Sequence, residues 1–197
     1  MERVSISINI YDLLPEGTIS NIAWMLGIGI YHSGLVIGDK EYAYGGHSLE
    51  NVSGIYTTVP RTIPPGGRFR TSIKYGSIII MPDEVEEIIC DIGKEFQGLS
   101  YNLLTRNCNH FTSHLLYRLT SLSTPKWLNR AASIGVAFPY MVPTVYLHPI
   151  ISSYRIRFRI WLGLGGSSVI KCIGGLGLGR WYVYISCEDL NTENSIC

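Results

Sequence analysis

Cys108 is the residue of this chain whose type and position best suit covalent chemistry. It follows Asn107, a good N-cap residue, so we predict that it lies at the start of a helix. The free N–H groups and partial positive charge of a helix N-terminus stabilise an anion. We therefore expect a lowered pKa for the Cys108 thiol and a nucleophilic thiolate. The alternative interpretation is a buried, inert core cysteine.

A thiolate nucleophile needs a general base that also protonates the leaving group, and histidine suits both tasks near neutral pH. The chain has five histidines: His32, His47, His110, His114 and His148. His110 is only two residues from Cys108 on the same predicted helix, so its side chain points elsewhere. His32 lies in a predicted strand between glycines, where small neighbours leave room for a substrate backbone. His32 is our candidate base, and His47 is the second choice.

Asn102, six residues before Cys108, is a candidate for binding an oxyanion. A side-chain amide donor near the thiolate would act there together with the Cys108 backbone N–H. A turn asparagine in the loop before the helix is the alternative interpretation. The five cysteines contain no CxxC pair, which argues against a structural zinc site, and the sequence predicts no metal and no cofactor.

Short strands in the first part of the chain must position His32. Apolar residues alternate with polar ones from Val4 to Ile10, which indicates a half-buried strand. A hairpin is predicted from strands 27–37 and 40–46, with further strands at 54–59 and 68–74. A short helix with Ser20 as its N-cap is predicted to end at Leu26.

Helices follow the strands and must position Cys108. The first is predicted to begin with Asp83 as its N-cap and Glu86 three residues on, and to end at Gly98. The second begins at Asn107, and a third begins at Thr124-Pro125. A cluster of strands followed by a cluster of helices predicts an α+β domain.

The last part of the chain differs from the rest, and we predict a domain boundary near Pro143. Residues 131–187 contain no Asp or Glu, and Arg155, Arg157 and Arg159 alternate with apolar residues. We favour a poorly ordered tail at 144–197. For residues 155–160 the alternatives are an edge strand with a basic face, a membrane-touching segment, or an alternative transcript end with no evolved fold. The apolar stretches are interrupted by proline, glycine or lysine, so no transmembrane helix is predicted.

Charge and the N-terminal pattern bear on partners and location. Sixteen Lys and Arg balance fifteen Asp and Glu, which gives a net charge of +1 and argues against nucleic-acid binding. The first ten residues alternate instead of forming an apolar run, so no signal peptide is predicted. We expect a cytoplasmic protein that is also able to act in the nucleus.

Six segments together carry a family resemblance. YDLLP, GIGIYHSG, EYAYGGH, GIY…VP, FQGLSYNLLTRNCNHF and PKWLNRA occur in this order. With them the chain resembles the PPPDE superfamily of permuted papain-fold peptidases, and within it the deSUMOylating isopeptidase (DeSI) proteins, particularly the branch linked to deubiquitination. The resemblance covers Val4 to Pro143. It implies a permuted papain-like thiol peptidase fold with a small antiparallel sheet or barrel packed on helices, and a catalytic domain at 1–143.

The resemblance also implies an activity. In such enzymes the histidine precedes the cysteine along the chain, which places the general base at His32 and the nucleophile at Cys108. The family offers no clear third member, so it implies a dyad. The implied reaction is removal of ubiquitin or a SUMO-like modifier from protein lysines, with the conjugated proteins as partners. A diglycine tail needs a narrow groove, which glycines 29, 34, 45 and 46 could line, although they could equally be turn residues.

Two other classes of function stay open. The NC-x-HF pattern also marks lecithin–retinol acyltransferase-like proteins, and the same Cys–His chemistry permits thioester hydrolysis on S-acylated proteins. The acid-free, Arg-bearing tail would suit a membrane contact in either case. A non-catalytic binding module of the same fold is the other alternative.

Overall fold

The computed structural model describes residues 1–138 and the backbone of three short strands further along the chain. The first part contains five strands, β1 (Glu2–Asp12), β2 (Tyr31–Ile37), β3 (Lys40–Tyr44), β4 (Ile55–Thr58) and β5 (Arg68–Ile80). Its helices are α1 (Thr18–Leu26), α2 (Pro82–Glu95), α3 (Cys108–Thr120) and α4 (Arg130–Ala137), with 3₁₀ turns at Gly98–Ser100 and Lys126–Asn129. The α+β prediction is confirmed.

The five strands form one antiparallel sheet in the order β4-β3-β2-β1-β5. In the centre, β1 pairs with β2 from Ile6↔Ile37 to Asp12↔Tyr31. β5 is longer than the predicted 68–74 because it follows the whole length of β1, from Glu2↔Ile80 to Asp12↔Arg68. Its register shifts at Gly76, whose φ of 94° is one that residues with a side chain seldom adopt.

The core lies between one face of the sheet and helices α2 and α3. The alternation predicted for β1 is confirmed for Ile6, Ile8 and Ile10, which are at most 1% exposed. Asn9 departs from it: this residue is 2% exposed because its amide donates to the buried Glu41 carboxylate. Helix α3 adds to the same core an apolar face at helical spacing, formed by Phe111, Leu115 and Leu116. The helix packs against β2 and β3.

The predicted start of α2 was off by two residues. The helix has Met81 at its N-cap and Pro82 in its first turn, and the Glu84 carboxylate accepts the Met81 N–H at 2.9 Å. Proline suits this position because it has no N–H to leave unpaired and its φ is already helical. Asp83 therefore lies inside the helix instead of capping it.

Helix α1 also begins earlier than predicted, because Ser20 is not its N-cap. The helix starts at Thr18 after Gly17, and the buried Ser20 hydroxyl donates to Asp12 at 2.6 Å. Asp12 also accepts the Leu14 N–H at 3.0 Å and pairs with Arg68 at 3.2 Å. A single buried carboxylate thus fastens α1 and β5 to the end of β1.

The tail contains three short antiparallel strands, β6 (Ile156–Phe158), β7 (Ile170–Gly174) and β8 (Val183–Ile185), with β7 in the middle. The strand alternative for the Arg-bearing segment thus holds over Ile156–Phe158, at the edge of this sheet. The boundary predicted near Pro143 and the rest of the tail lie outside the described residues. Within the described part of the chain, no helix is both long enough and apolar enough to cross a bilayer.

Candidate active site

Cys108 is the first residue of α3, as the sequence predicted. The Asn107 side chain caps the helix by accepting the N–H groups of Asn109 at 2.9 Å and His110 at 3.0 Å. Its amide group also donates to the Leu103 carbonyl at 2.7 Å, which fixes the loop before the helix. The Cys108 side chain is therefore held at the positive end of a well-capped helix, 4% exposed.

His32 reaches this helix because of the way β2 is paired. β3 pairs with β2 only at residues 35–37, so the first half of β2 has β1 on one side and the N-terminus of α3 near the other. The Asn109 amide donates to the carbonyls of Tyr31 at 3.0 Å and Leu128 at 3.1 Å. These bonds fix the start of α3 against the strand residue next to His32.

The side chains of His32 and Cys108 are hydrogen-bonded, and the charge of each acts on the pKa of the other. Burial alone would raise the pKa of the Cys108 thiol, but the charge of His32 and a hydrogen bond from it lower that pKa below its usual value. Burial alone would lower the pKa of His32, but the Cys108 thiolate and the Glu41 carboxylate raise it above its usual value. Both directions favour a thiolate–imidazolium ion pair.

Two further groups donate to the sulfur. The Ser33 backbone N–H and the Tyr101 side chain each hydrogen-bond Cys108, and each lowers the pKa of its thiol. The pKa of Tyr101 is raised, first by burial and then by the charge of Cys108, so its hydroxyl keeps its proton at neutral pH. Sequence reasoning missed Tyr101, although it lies in the quoted segment that ends in NCNHF.

Asn102 is not brought to the sulfur in this structure. Its side-chain oxygen accepts the N–H groups of Leu104 and Thr105, both at 3.0 Å, and its backbone pairs with that of Arg106. This is the turn geometry that was the alternative interpretation of Asn102. Its role as an oxyanion donor stays a prediction, and the group that reaches Cys108 is the neighbouring Tyr101.

A tyrosine that the sequence analysis left without a role touches the imidazole. The Tyr56 hydroxyl on β4 lies 3.2 Å from Nε2 of His32. The buried Glu41 carboxylate on β3 also acts on His32 by charge. Both belong to quoted segments, EYAYGGH and GIY, but only the strand register brings them to His32.

The other histidines have structural contacts. Nε2 of His47 bonds the Ser53 carbonyl at 3.0 Å and its Nδ1 accepts the Leu49 N–H at 3.2 Å, so this second-choice base holds a loop. His110 contacts Asn107 at the helix cap, and the His114 ring packs edge-on against Phe96. His148 lies outside the described residues.

A cavity of about 310 Å³ opens beside Cys108 and His32. Its wall is mostly apolar, with Leu13, Ile30, Leu103, Leu104 and Leu128 among the lining residues. Asn129 also lines it, and the Oδ1 atom of this asparagine is buried without a hydrogen-bond partner among the described residues. The site thus combines a largely apolar space with the side chains of Cys108 and His32 in its wall.

The glycines proposed to line a groove mainly make room for the protein's own side chains. A Cβ on Gly34 would overlap the Glu41 carboxylate, and one on Gly29 would overlap the Tyr31 hydroxyl. A Cβ on Gly46 would approach Cβ of Tyr101 to 3.0 Å. Of these glycines, Gly29 alone also lines the cavity. Over residues 1–138, no group of His, Cys, Asp and Glu side chains is placed to hold a metal ion.

The chain is similar in sequence to known peptidases. Residues 4–146 match the model of the PPPDE putative peptidase domain. The DeSI-like protein sdu1 of Schizosaccharomyces pombe is 42% identical over 145 residues, which are 74% of this chain and 72% of the relative. The Desumoylating isopeptidase 1 homolog of Caenorhabditis elegans is 33% identical over 76% of this chain but only 45% of its own length. Human Desumoylating isopeptidase 1 is 25% identical over 72% of this chain and 76% of its own length.

Proposed function

Because this chain belongs to the PPPDE peptidase family, we propose that it is a cysteine isopeptidase that removes a ubiquitin-like modifier from protein lysines. Cys108 is the nucleophile and His32 the general base. The names of the relatives favour SUMO as the modifier, with ubiquitin as the second choice. The chief support is the hydrogen-bonded Cys108–His32 pair, which lines a cavity and combines a lowered thiol pKa with a raised imidazole pKa.

The first half of the reaction forms an acyl-enzyme. The Cys108 thiolate attacks the carbonyl carbon of the modifier's terminal glycine and gives a tetrahedral oxyanion. The His32 imidazolium donates its proton to the lysine nitrogen, the C–N bond breaks, and the amine leaves. A thioester between Cys108 and the modifier remains.

The second half releases the modifier. Neutral His32 takes a proton from water, and the resulting hydroxide equivalent attacks the thioester carbonyl. The C–S bond breaks, and Cys108 returns as a thiolate beside the protonated His32. The modifier leaves as the free carboxylic acid, which loses its proton to the solvent. Tyr101 and the Cys108 backbone N–H are the donors we assign to the oxyanion, because both lie at the sulfur.

Hydrolysis of S-acyl thioesters is the second candidate, and the apolar wall of the cavity favours it. About 310 Å³ lined by leucines and an isoleucine would take part of an acyl chain. The same Cys108–His32 pair would perform the chemistry. In an isopeptidase the cavity would hold the peptide tail of the modifier, and in a thioesterase it would hold part of the acyl chain.

A three-substrate assay tests both functions. A SUMO–lysine isopeptide, a ubiquitin–lysine isopeptide and an S-acyl peptide are given to the wild-type chain and to Cys108→Ala. We expect isopeptide cleavage that the variant lacks. Thioester turnover alone would replace the isopeptidase proposal by deacylation, and no turnover of any substrate would favour a binding module.

An Ala131→Trp variant tests whether the cavity holds an acyl chain. Ala131 lines it and is partly exposed, so a larger side chain there reduces the space without disturbing a buried core position. If the cavity holds an acyl chain, turnover should fall more steeply for long-chain than for short-chain thioesters. Ser133→Trp, at an exposed position on the same helix, is the matched control.

A further inference from the structure

We propose that Tyr56 is a positioning residue that completes the Cys108–His32 pair, and that the buried Glu41 carboxylate supplies the negative charge behind the imidazole. The dyad implied by the sequence then becomes a four-residue arrangement. This inference rests on the proposed function, since it assigns roles around the same nucleophile and base.

The contact of Tyr56 with the imidazole determines which nitrogen faces the sulfur. The Tyr56 hydroxyl lies 3.2 Å from Nε2 of His32. Nδ1 is therefore the nitrogen left for Cys108. A neutral histidine can take the thiol proton on Nδ1 only if its own proton is on Nε2, so the group at Nε2 controls the tautomer.

The Tyr56 oxygen can accept a hydrogen bond from Nε2–H of His32 throughout the cycle. In the ion pair both ring nitrogens of His32 carry protons, and one of them needs an acceptor other than Cys108. Burial, followed by the charges of Cys108 and Glu41, raises the pKa of Tyr56. The phenol thus stays neutral near pH 7 and offers an oxygen lone pair without taking the proton itself.

Glu41 is a buried carboxylate without a cationic side-chain partner among the described residues. It is 2% exposed and accepts bonds from the Asn9 amide at 2.6 Å, the Tyr11 hydroxyl at 2.9 Å and the Arg61 backbone N–H at 2.9 Å. None of these donors carries a charge. The charge that Glu41 stabilises is that of the His32 imidazolium, whose pKa it raises.

The fold makes room for this charge beside His32. Gly34 lies two residues from His32 on the same strand, and a Cβ at Gly34 would occupy the place of the Glu41 carboxylate. The Tyr11 ring, opposite His32 on β1, packs at 6.0 Å between ring centroids and donates its hydroxyl to Glu41. Burying a carboxylate costs free energy unless it is hydrogen-bonded and paired with an opposite charge.

The titratable groups that face His32 come from four elements. They are Tyr11 from β1, Glu41 from β3, Tyr56 from β4 and Cys108 from α3. Both tyrosines have raised pKa values and stay neutral at pH 7. Burial lowers the pKa of His32, and the negative charges of Cys108 and Glu41 are what raise it above its usual value.

Two variants test the assignment by a readout that needs no substrate: the pH dependence of Cys108 alkylation by iodoacetamide. Tyr56→Phe removes the acceptor at Nε2, and Glu41→Gln removes the charge while keeping the shape of the side chain. Each should move the midpoint of Cys108 ionisation upward by about one pH unit, which corresponds to roughly a ten-fold loss of thiolate at lower pH. Tyr42→Phe, which loses a hydroxyl contact to Glu86 away from the site, is the matched control and should leave the midpoint unchanged.

Steady-state kinetics on the SUMO isopeptide give the second readout. Tyr56→Phe should lower kcat about ten-fold or more with KM nearly unchanged, because the tyrosine acts on the base and not on the substrate. A Tyr56→Phe alkylation profile that overlays the wild-type profile would overturn the proposal, whether or not the isopeptidase activity is found. If Glu41→Gln does not fold, as judged by its melting curve, the alkylation profile of Tyr56→Phe alone tests the proposal.

Discussion

The Ser33 hydroxyl donates a 2.7 Å hydrogen bond to the Asn109 side-chain oxygen, and this buried contact joins the strand of His32 to the helix of Cys108. The residues are 76 positions apart in sequence. The same hydroxyl also lies 3.0 Å from that of Thr112, which in turn donates to the Ser33 carbonyl at 3.2 Å. The relative position of His32 and Cys108 is thus fixed by a buried polar cluster that joins their two elements.

Replacing Asn109 should loosen this cluster and the pair it holds. Asn109→Ala removes the acceptor of Ser33 and the donors to Tyr31 and Leu128, and leaves buried polar groups without partners. We expect a loss of about 2–4 kcal/mol in the free energy of unfolding, together with a lower kcat. Urea denaturation measures the first and steady-state kinetics the second. Ser133→Ala, which removes an exposed side-chain bond on α4, should cost under about 1 kcal/mol.

Removing the His32 imidazole should raise the pKa of Cys108. In His32→Ala the charge and hydrogen bond that lower this pKa are lost, and burial, which raises it, is left to dominate. The alkylation rate of Cys108 should then fall at neutral pH and recover only in alkaline buffer. An alkylation profile unchanged from the wild type would show that His32 does not act on the thiol. His114→Ala, away from the sulfur, is the control.

Asn107, the N-cap of α3, should contribute to the free energy of unfolding and to the reactivity of Cys108. Asn107→Ala removes the acceptor of two backbone N–H groups at the helix start, which costs about 1 kcal/mol. Asn107→Asp keeps the acceptor and should retain most of that stability. Thermal melting of the two variants compares them, and equal melting temperatures for Ala and Asp would contradict the capping role.

Asp12 should make the fold sensitive to acid. Burial raises its pKa, but hydrogen bonds from Ser20, Leu14 and Arg68 outweigh this and lower the pKa below its usual value. A carboxyl with a lowered folded-state pKa stabilises the fold at pH above the unfolded pKa, and that contribution is lost as the pH falls through the folded value. Asp12→Asn should therefore be less stable than wild type at pH 7, and the difference should shrink toward pH 2. A difference that is constant with pH would contradict this origin.

Sequence reasoning located Cys108 and its cap because their signal is local. Asn107 and Cys108 are neighbours, and the cap depends on N–H groups two and three residues further on. His32 was found from its histidine type and its flanking glycines. The structure shows that Gly34 makes room for Glu41, which is a different reason from the open groove proposed.

The partners of His32 could not be predicted in the same way. Glu41 and Tyr56 reach the imidazole through the pairing of β2 with β3 and of β3 with β4, in which Ala43 lies opposite Tyr56. Nothing in the spacing of these residues sets that register. The start of α2 was missed for a local reason: Asp83 is a good N-cap type, but Pro82 before it already occupies the first turn.

A SUMO probe with an electrophile in place of its terminal carboxylate tests the central claim most directly. We predict a covalent adduct, mapped by peptide mass spectrometry to Cys108, that forms quickly with the wild-type chain, slowly with His32→Ala and not with Cys108→Ala. A ubiquitin probe run beside it reports the choice of modifier. An adduct at another residue, or equal labelling of wild type and His32→Ala, would contradict the account of Cys108 and His32 as nucleophile and base.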